Sequence, residues 1–146
     1  MSGVKTRISD PAPLDYVAPP FPSLYWPLHT QPGVASYLYY VNDIWRFTLY
    51  WTLIFYASFH IATATLGVCM QLGKSKKAIK WVWTIPVAYA AIAGIEALLA
   101  GSIVGLILGA VYDAGYFRMS TWIPLVWSLI NVLVLILSAF SIQGAL

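Results

Sequence analysis

Three long apolar blocks constrain the fold of this chain more than any other feature of its sequence. They cover residues 44–72, 81–112 and 122–142. Each block has at least the roughly 20 residues that a helix needs to cross a hydrocarbon core about 30 Å thick. With 60% hydrophobic and 9% charged residues, the chain is also more apolar than an ordinary water-soluble domain. The sequence therefore predicts an all-α integral membrane protein with three transmembrane helices.

The segment before the first block, residues 1–42, has a different composition. It is rich in proline, with aromatic residues between the prolines, and it lacks the apolar core of a signal peptide. Frequent proline predicts an extended segment with local turns. The segment is either a linker or a strap lying on the membrane interface or on a partner, since tyrosine and tryptophan favour that zone. We therefore divide the chain into an N-terminal segment, 1–42, and a transmembrane domain, 43–146.

The loops between the blocks predict the orientation in the membrane. Loop 73–80 is rich in lysine, whereas loop 113–121 contains a single basic residue, Arg118. By the positive-inside rule, loop 73–80 is cytosolic, which makes the N-terminal segment and loop 113–121 luminal and the C-terminus cytosolic. The net charge of +3 comes mostly from loop 73–80 and does not indicate a nucleic-acid partner. The residues of the predicted cytosolic basic loop are Lys74, Lys76, Lys77 and Lys80.

A small residue recurs at every fourth position of the second block. Glycine inside a helix costs about 1 kcal/mol relative to alanine, but small residues let helix backbones approach closely in lipid. The row predicts a packing groove for the first or third helix, with another protein or a second copy as alternatives. The predicted groove consists of Ala93, Ala97, Gly101, Gly105 and Gly109. A second row in the first block, made of small and polar residues, is expected to face this groove. Its residues are Ala57, His60, Ala64, Gly67 and Gln71.

Each block carries one polar residue near mid-membrane: His60, Glu96 and Asn131. At 1.5 Å per residue, each lies about 20 to 24 Å from the nearest basic loop residue. Polar groups at this depth face the bundle interior and find one another. We therefore expect a contact between His60 and Glu96, with Asn131 as a third member. The cluster is either a hydrogen-bonded network that fixes helix register or a proton relay or polar site for a lipid headgroup or ion.

The residues do not indicate an enzyme. The sequence contains no HExxH motif, no paired carboxylates, no serine with a nearby base and no cluster of cysteines. Two histidines and one membrane-embedded glutamate do not make a metal site. We therefore expect neither catalytic residues nor a metal or cofactor.

The run 43-DIWRFTLYWTLIFYASFH-60 resembles the start of the transmembrane protein 170 family, small three-span proteins of the endoplasmic-reticulum membrane. The matching positions are Asp43, Trp45, Trp51 and His60. The resemblance continues at 100-AG-101 and 110-AVYDAG-115 and covers roughly residues 41–146. The N-terminal segment is not part of it, and Glu96 departs from the family pattern.

The resemblance implies a non-enzymatic protein of the endoplasmic reticulum and nuclear envelope, linked to membrane-sheet shape and nuclear pore formation. It also implies small subunits at the membrane anchor of large lipid-transfer proteins. We therefore expect an accessory subunit whose partners are membrane lipids and a larger membrane protein or lipid-transfer protein. The alternatives are an organiser of sheet and nuclear-envelope shape that acts by self-association, and a lipid or ion conduit that uses the mid-membrane polar cluster.

Overall fold

A computed structural model describes residues 16–25, 36–72 and 81–144. Most of them form three helices, α1 (Val41–Leu72), α2 (Thr84–Ala114) and α3 (Trp122–Gly144). All three are long and apolar enough to cross a membrane. This confirms the predicted fold class, an all-α membrane protein with three transmembrane helices. The lysine loop, residues 73–80, lies outside the described residues.

The helices begin and end at slightly different residues from the apolar blocks. α1 begins at Val41 rather than at residue 44, and α2 runs from Thr84 to Ala114 rather than over 81–112. At the start of α1 and the end of α2, helical hydrogen bonding continues beyond the apolar block, whereas α2 begins inside its block. Pro86 and Pro124 each lie in the first turn of their helix, where the missing N–H costs no helical hydrogen bond.

α1 is the central helix of the bundle. α2 and α3 both pack mainly against α1 and have far fewer contacts with each other. α1 and α2 are antiparallel, since Gly109 of α2 lies against Val41 and Gly101 lies against Leu49.

Two short strands pair with each other at one end of the bundle. β1 (Tyr37–Leu38) pairs antiparallel with β2 (Met119–Ser120), with Leu38 opposite Met119. Leu38 and Met119 are both fully buried, and they form one core cluster with Ile44, Phe47 and Leu108. Two residues per strand leave no periodic signal in the sequence, so the sequence predicts neither β1 in segment 1–42 nor β2 in loop 113–121.

Residues 16–25, called the strap from here on, lie across the same end of the bundle. Phe21 packs its ring against Phe47, Tyr50 and Trp51 of α1, at centroid distances of 5.1 to 5.5 Å. The strap is also held by hydrogen bonds to the start of α3. The Thr121 hydroxyl donates to the Ser23 carbonyl (2.9 Å), and Trp122 Nε1 donates to the Tyr25 carbonyl (2.8 Å). The strap thus contacts the helices of its own chain.

Tyr16 anchors the start of the strap. Its hydroxyl accepts a hydrogen bond from the Tyr39 backbone N–H at 3.1 Å, and its ring contacts those of Tyr37, Tyr39 and Tyr40. Burial raises the pKa of the Tyr16 hydroxyl, because it disfavours the charged phenolate. On the other side, the Arg118 guanidinium lies 4.8 Å from the Tyr37 ring centroid, within cation–π range. Aromatic contacts therefore connect strap, strands and loop into one cap.

Candidate membrane-embedded site

Three glycines of α2, Gly101, Gly105 and Gly109, face α1 at close contact. A Cβ atom built on Gly105 would lie 3.1 Å from Trp45 Cα, and one on Gly101 would lie 3.2 Å from Leu49 Cα. At Gly109 the added atom would lie 2.6 Å from Val41 Cγ1. These distances leave no room for a larger side chain without moving α1. The five positions of the predicted groove are all buried, namely Ala93, Ala97, Gly101, Gly105 and Gly109.

The row on α1 continues this seam towards the other end of the bundle. Ala64 is buried at 3% exposure, and a Cβ atom on Gly67 would meet Ile85 Cγ2 of α2 at an ordinary 3.6 Å. Between these levels and the glycines, Ala57 and His60 line a small cleft of about 140 Å³ between α1 and α2. The seam is therefore tightest beside the three glycines and looser beside the polar pair.

His60 and Glu96 meet across this seam. His60 Nε2 lies 3.4 Å from Glu96 Oε2, and His60 Nδ1 lies 2.9 Å from the Tyr56 carbonyl one turn earlier. A carbonyl oxygen only accepts, so Nδ1 carries a proton and donates it there. Glu96 Oε2 is buried and makes no hydrogen bond with correct geometry to any described residue. The geometry therefore places an imidazole and a carboxyl group in contact within the apolar part of the bundle.

Asn131 joins this cluster through its backbone. The Tyr56 hydroxyl donates to the Asn131 carbonyl at 3.4 Å, and the Tyr56 ring stacks on His60 at a centroid distance of 6.2 Å. The side-chain Nδ2 of Asn131 is buried and has no acceptor among the described residues. The structure thus links the three predicted residues through Tyr56, which the sequence analysis did not single out.

A second polar seam connects α1 to α3, and sequence reasoning missed it. Ser128 of α3 donates to the Thr48 carbonyl at 3.1 Å, and the Thr52 hydroxyl donates to Ser128 Oγ at 3.1 Å. All three side chains are fully buried. Thr48 and Thr52 are one turn apart on a single face of α1, which is the signal that would have found the seam. Each hydroxyl also lies within hydrogen-bond distance of the carbonyl four residues earlier in its own helix. The single proton of Thr52 and that of Ser128 are thus shared between an acceptor in the same helix and one across the seam, and neither is stranded in lipid.

Three of the family-motif residues contact other parts of the chain, two of them towards α2 and one towards the strap. The backbone of Trp45 contacts Gly105 of α2, Trp51 lies beneath Phe21 of the strap, and His60 meets Glu96. Asp43 lies in the first turn of α1, where a carboxylate is favoured by the helix dipole. The motif therefore includes two contacts to α2, at Gly105 and at Glu96, and one contact to the strap.

The described residues contain no group of three or more histidine, cysteine or acidic side chains that could hold a metal ion. What the site offers is hydrogen bonding at mid-membrane, from one histidine–carboxyl pair at the edge of a helix seam. Such a site can accept a polar group from lipid or protein, or hold a proton.

These features define a small multi-pass membrane protein, built from three spanning helices around a close glycine seam. A family model described as transmembrane protein 170A/B-like matches residues 37–146. The chain therefore belongs to the transmembrane protein 170 family, which confirms the resemblance carried by the 43–60 run. The match begins at β1, within the segment that the sequence analysis placed before the transmembrane domain.

The comparison with curated proteins gives a relative in budding yeast. The chain is 42% identical over 134 residues to the uncharacterized protein YPR153W of Saccharomyces cerevisiae, with 91% of each protein covered. The family match begins at residue 37, whereas a match of 134 residues also includes part of the chain before that residue. No solved structure matches the chain.

Proposed function

We propose that this protein is a non-enzymatic accessory subunit of a larger complex in the endoplasmic-reticulum membrane. The proposal is supported by the small amount of described structure outside the three helices. Beyond the three helices, the described residues form a strap and a strand pair that pack on one end of the bundle. Within the described residues, the surfaces left for other molecules are mainly the apolar outer faces of the helices.

The exposed residues of α2 and α3 support a role inside the membrane. Ile95, Leu99 and Ile103 of α2 are each more than half exposed, as is Leu137 of α3. Lipid or apolar helices of another protein would cover them. The membrane anchor of a lipid-transfer protein is a partner that fits this apolar surface. The location proposed for the complex includes the nuclear envelope, which is continuous with the endoplasmic reticulum.

Purification from native membranes in mild detergent tests this function. The tagged chain should elute with a larger membrane protein at constant stoichiometry, identified by mass spectrometry and by the mass of the particle. Self-oligomers without another protein would instead support an organiser of membrane shape. A bare monomer under conditions that keep other membrane complexes intact would contradict both functions.

The proposed orientation has a luminal N-terminus and a cytosolic C-terminus. Val4→Asn creates an N-glycosylation sequon with Thr6, and many residues of sequence separate it from α1. We expect this variant to gain one endoglycosidase-sensitive glycan, whereas a sequon tag appended after Leu146 should stay unmodified. Glycosylation of the C-terminal tag alone would invert the orientation, and modification of both sites would contradict an odd number of spans.

A further inference from the structure

Two clefts open along the seam between α1 and α2. The first has a volume of about 590 Å³ and lies towards the end of the bundle that carries the strap. The residues that line it are Val41, Asn42, Trp45, Ser102 and Leu106. The second has a volume of about 140 Å³ and lies deeper in the bundle. The residues that line it include Ala57, His60, Ala90, Ala93 and Gly94.

Both clefts lie on the flank of this seam that faces away from α3. Residues of α2 one position before the buried row face α3, since Ala100 packs in one cluster with Val132. Successive residues are about 100° apart around a helix, so residues one position after the row lie on the opposite flank. One of them, Leu98, is 51% exposed and lies between the two clefts. We call this flank the outer groove, and its α2 residues are Gly94, Leu98, Ser102 and Leu106.

Ser102 gives the outer groove a polar group. Among the described residues, its hydroxyl has no hydrogen-bond partner, although it lies within a spanning helix. The other serine and threonine side chains described in the three helices each donate to a carbonyl three or four residues earlier. An unbonded hydroxyl is costly inside a membrane. Its position in the first cleft therefore indicates a ligand that supplies an acceptor.

Arg46 marks the depth of the lipid headgroups beside this groove. It follows Asn42 by one turn on the same face of α1, and its exposed guanidinium lies 5.9 Å from the Tyr50 ring centroid. A guanidinium is always charged and so stays at the interface, where lipid phosphates lie. Asp43 attracts it, but its five N–H donors leave several for a phosphate.

Ser102 lies slightly deeper than Arg46. A Cβ atom on the preceding residue, Gly101, would lie 3.2 Å from Leu49 Cα. Leu49 is three residues after Arg46, which is about 4.5 Å deeper along α1. In a glycerophospholipid the ester carbonyls also lie deeper than the phosphate, and a carbonyl oxygen is an acceptor. The Ser102 hydroxyl is therefore at the level of the ester groups.

The second cleft lies where an acyl chain from that level ends. Along α2, Gly94 is about 12 Å and Ala90 about 18 Å from Ser102, and half of the hydrocarbon core is about 15 Å. Both ring nitrogens of His60 point at protein atoms, the Tyr56 carbonyl and Glu96 Oε2. The wall that His60 adds to the cleft is therefore apolar.

The size of the second cleft selects a chain rather than a helix. Its volume is close to that of an engineered apolar cavity of about 150 Å³ that binds benzene. A helix with its side chains is about 10 to 12 Å across and does not enter a space of this size. The end of an acyl chain does.

We propose that the outer groove binds one glycerophospholipid from the leaflet at the strap end of the bundle. Its phosphate lies beside Asn42 and Arg46, and an ester carbonyl accepts a hydrogen bond from the Ser102 hydroxyl. The acyl chain follows Leu98 and ends in the second cleft. The site does not depend on the accessory-subunit function proposed above, since it is formed by α1 and α2 of this chain alone.

Two phosphatidylcholines of equal chain length probe the contact at Ser102. The diacyl lipid has ester carbonyls, whereas the dialkyl ether lipid has none. The full-length protein, purified in detergent, is mixed with equal amounts of both, and native mass spectrometry measures the lipid bound to each chain. Wild type should retain one lipid and prefer the diacyl form about threefold, the factor that corresponds to an average polar contact between membrane helices.

Substitution of Ser102 locates this preference. Ser102→Ala removes the donor without adding volume, and it should bring the ratio of diacyl to ether lipid close to unity. Ser58→Ala is the matched control, because Ser58 is exposed and donates to the Ile54 carbonyl of its own helix. It should keep the preference of wild type.

Gly94→Leu tests the position of the acyl chain. An added Cβ at Gly94 meets nothing within 4 Å, so a leucine leaves the bundle intact but fills the second cleft. It should lower the retention of both lipids severalfold, because the chain loses its packing contacts there. Ser58→Leu adds the same side chain at an exposed position outside both clefts and should retain lipid as wild type does.

Three results would overturn the proposal. Equal binding of the two lipids by wild type, or a diacyl preference that survives Ser102→Ala, would show that Ser102 does not bind an ester. Unchanged retention in Gly94→Leu would show that the chain does not reach the second cleft. Displacement of phosphatidylcholine from wild type by an equal amount of cholesterol would assign the groove to a sterol.

Discussion

Gly105→Leu is expected to separate α1 from α2 and to destabilise the bundle by about 2 kcal/mol or more. A Cβ atom at Gly105 already lies 3.1 Å from Trp45 Cα and 3.2 Å from Trp45 O. Backbone atoms cannot rotate away as a flexible side chain can, so a leucine there forces the helices apart. Overpacking of a well-filled interior typically costs 1 to 3 kcal/mol, and the loss of close packing between helices in lipid adds to it.

Gly94→Leu is the matched control for this prediction. It makes the same substitution in the same helix, at a glycine where an added Cβ has open space. Heating each purified variant in detergent, with the remaining monodisperse fraction as readout, should show a lower midpoint for Gly105→Leu alone. Equal midpoints for wild type and Gly105→Leu would mean that α1 and α2 do not touch along the glycine row.

The sequence was sufficient to predict the three spans, because crossing a membrane imposes a length and a composition that few other folds share. It also identified the row from Ala93 to Gly109, since glycine repeated inside a helix needs a close neighbour to offset its cost. The row alone did not select its neighbour among two helices, another protein and a second copy. That choice depends on the register between α1 and α2, which the structure sets through Val41 opposite Gly109.

The cap could not be predicted for a different physical reason. Its contacts join residues far apart in the chain, such as Trp122 to Tyr25 and Tyr25 to Ser120. Each contact uses one aromatic or hydroxyl group without any periodic pattern, and prolines in the strap fit a linker equally well. Aromatic richness near a membrane interface is expected in any case, so it did not indicate which rings meet.

The mid-membrane polar residues could be predicted only in part. Depth counting placed His60 and Glu96 at a similar level, and the structure brings them to 3.4 Å. Counting could not reveal that Glu96 is partly exposed, because exposure depends on where α3 lies relative to α2. Nor did it find Tyr56, whose hydroxyl bridges to α3, since a tyrosine in a stretch of rings carries no distinguishing pattern.

The seam between α1 and α3 should depend on the size of residue 128 more than on its hydroxyl. Ser128 is fully buried between α3 and the two threonines of α1. Ser128→Ala removes the hydroxyl but leaves Thr48 and Thr52 bonded to carbonyls in their own helix. We therefore expect a loss of only about 0.6 kcal/mol, the average for polar contacts between membrane helices.

Ser128→Leu adds volume at a position with no exposed surface and should cost about 2 kcal/mol or more, as α3 is pushed from α1. Ser58→Leu is its matched control, because Ser58 also donates to a carbonyl four residues earlier but is exposed. Thermal midpoints in detergent should fall in the order Ser58→Leu, Ser128→Ala, Ser128→Leu. If Ser128→Ala proves as damaging as Ser128→Leu, the hydrogen bonds rather than the close fit hold α3 in place. A Ser128→Leu midpoint equal to that of Ser58→Leu would show that α3 does not pack on this face of α1.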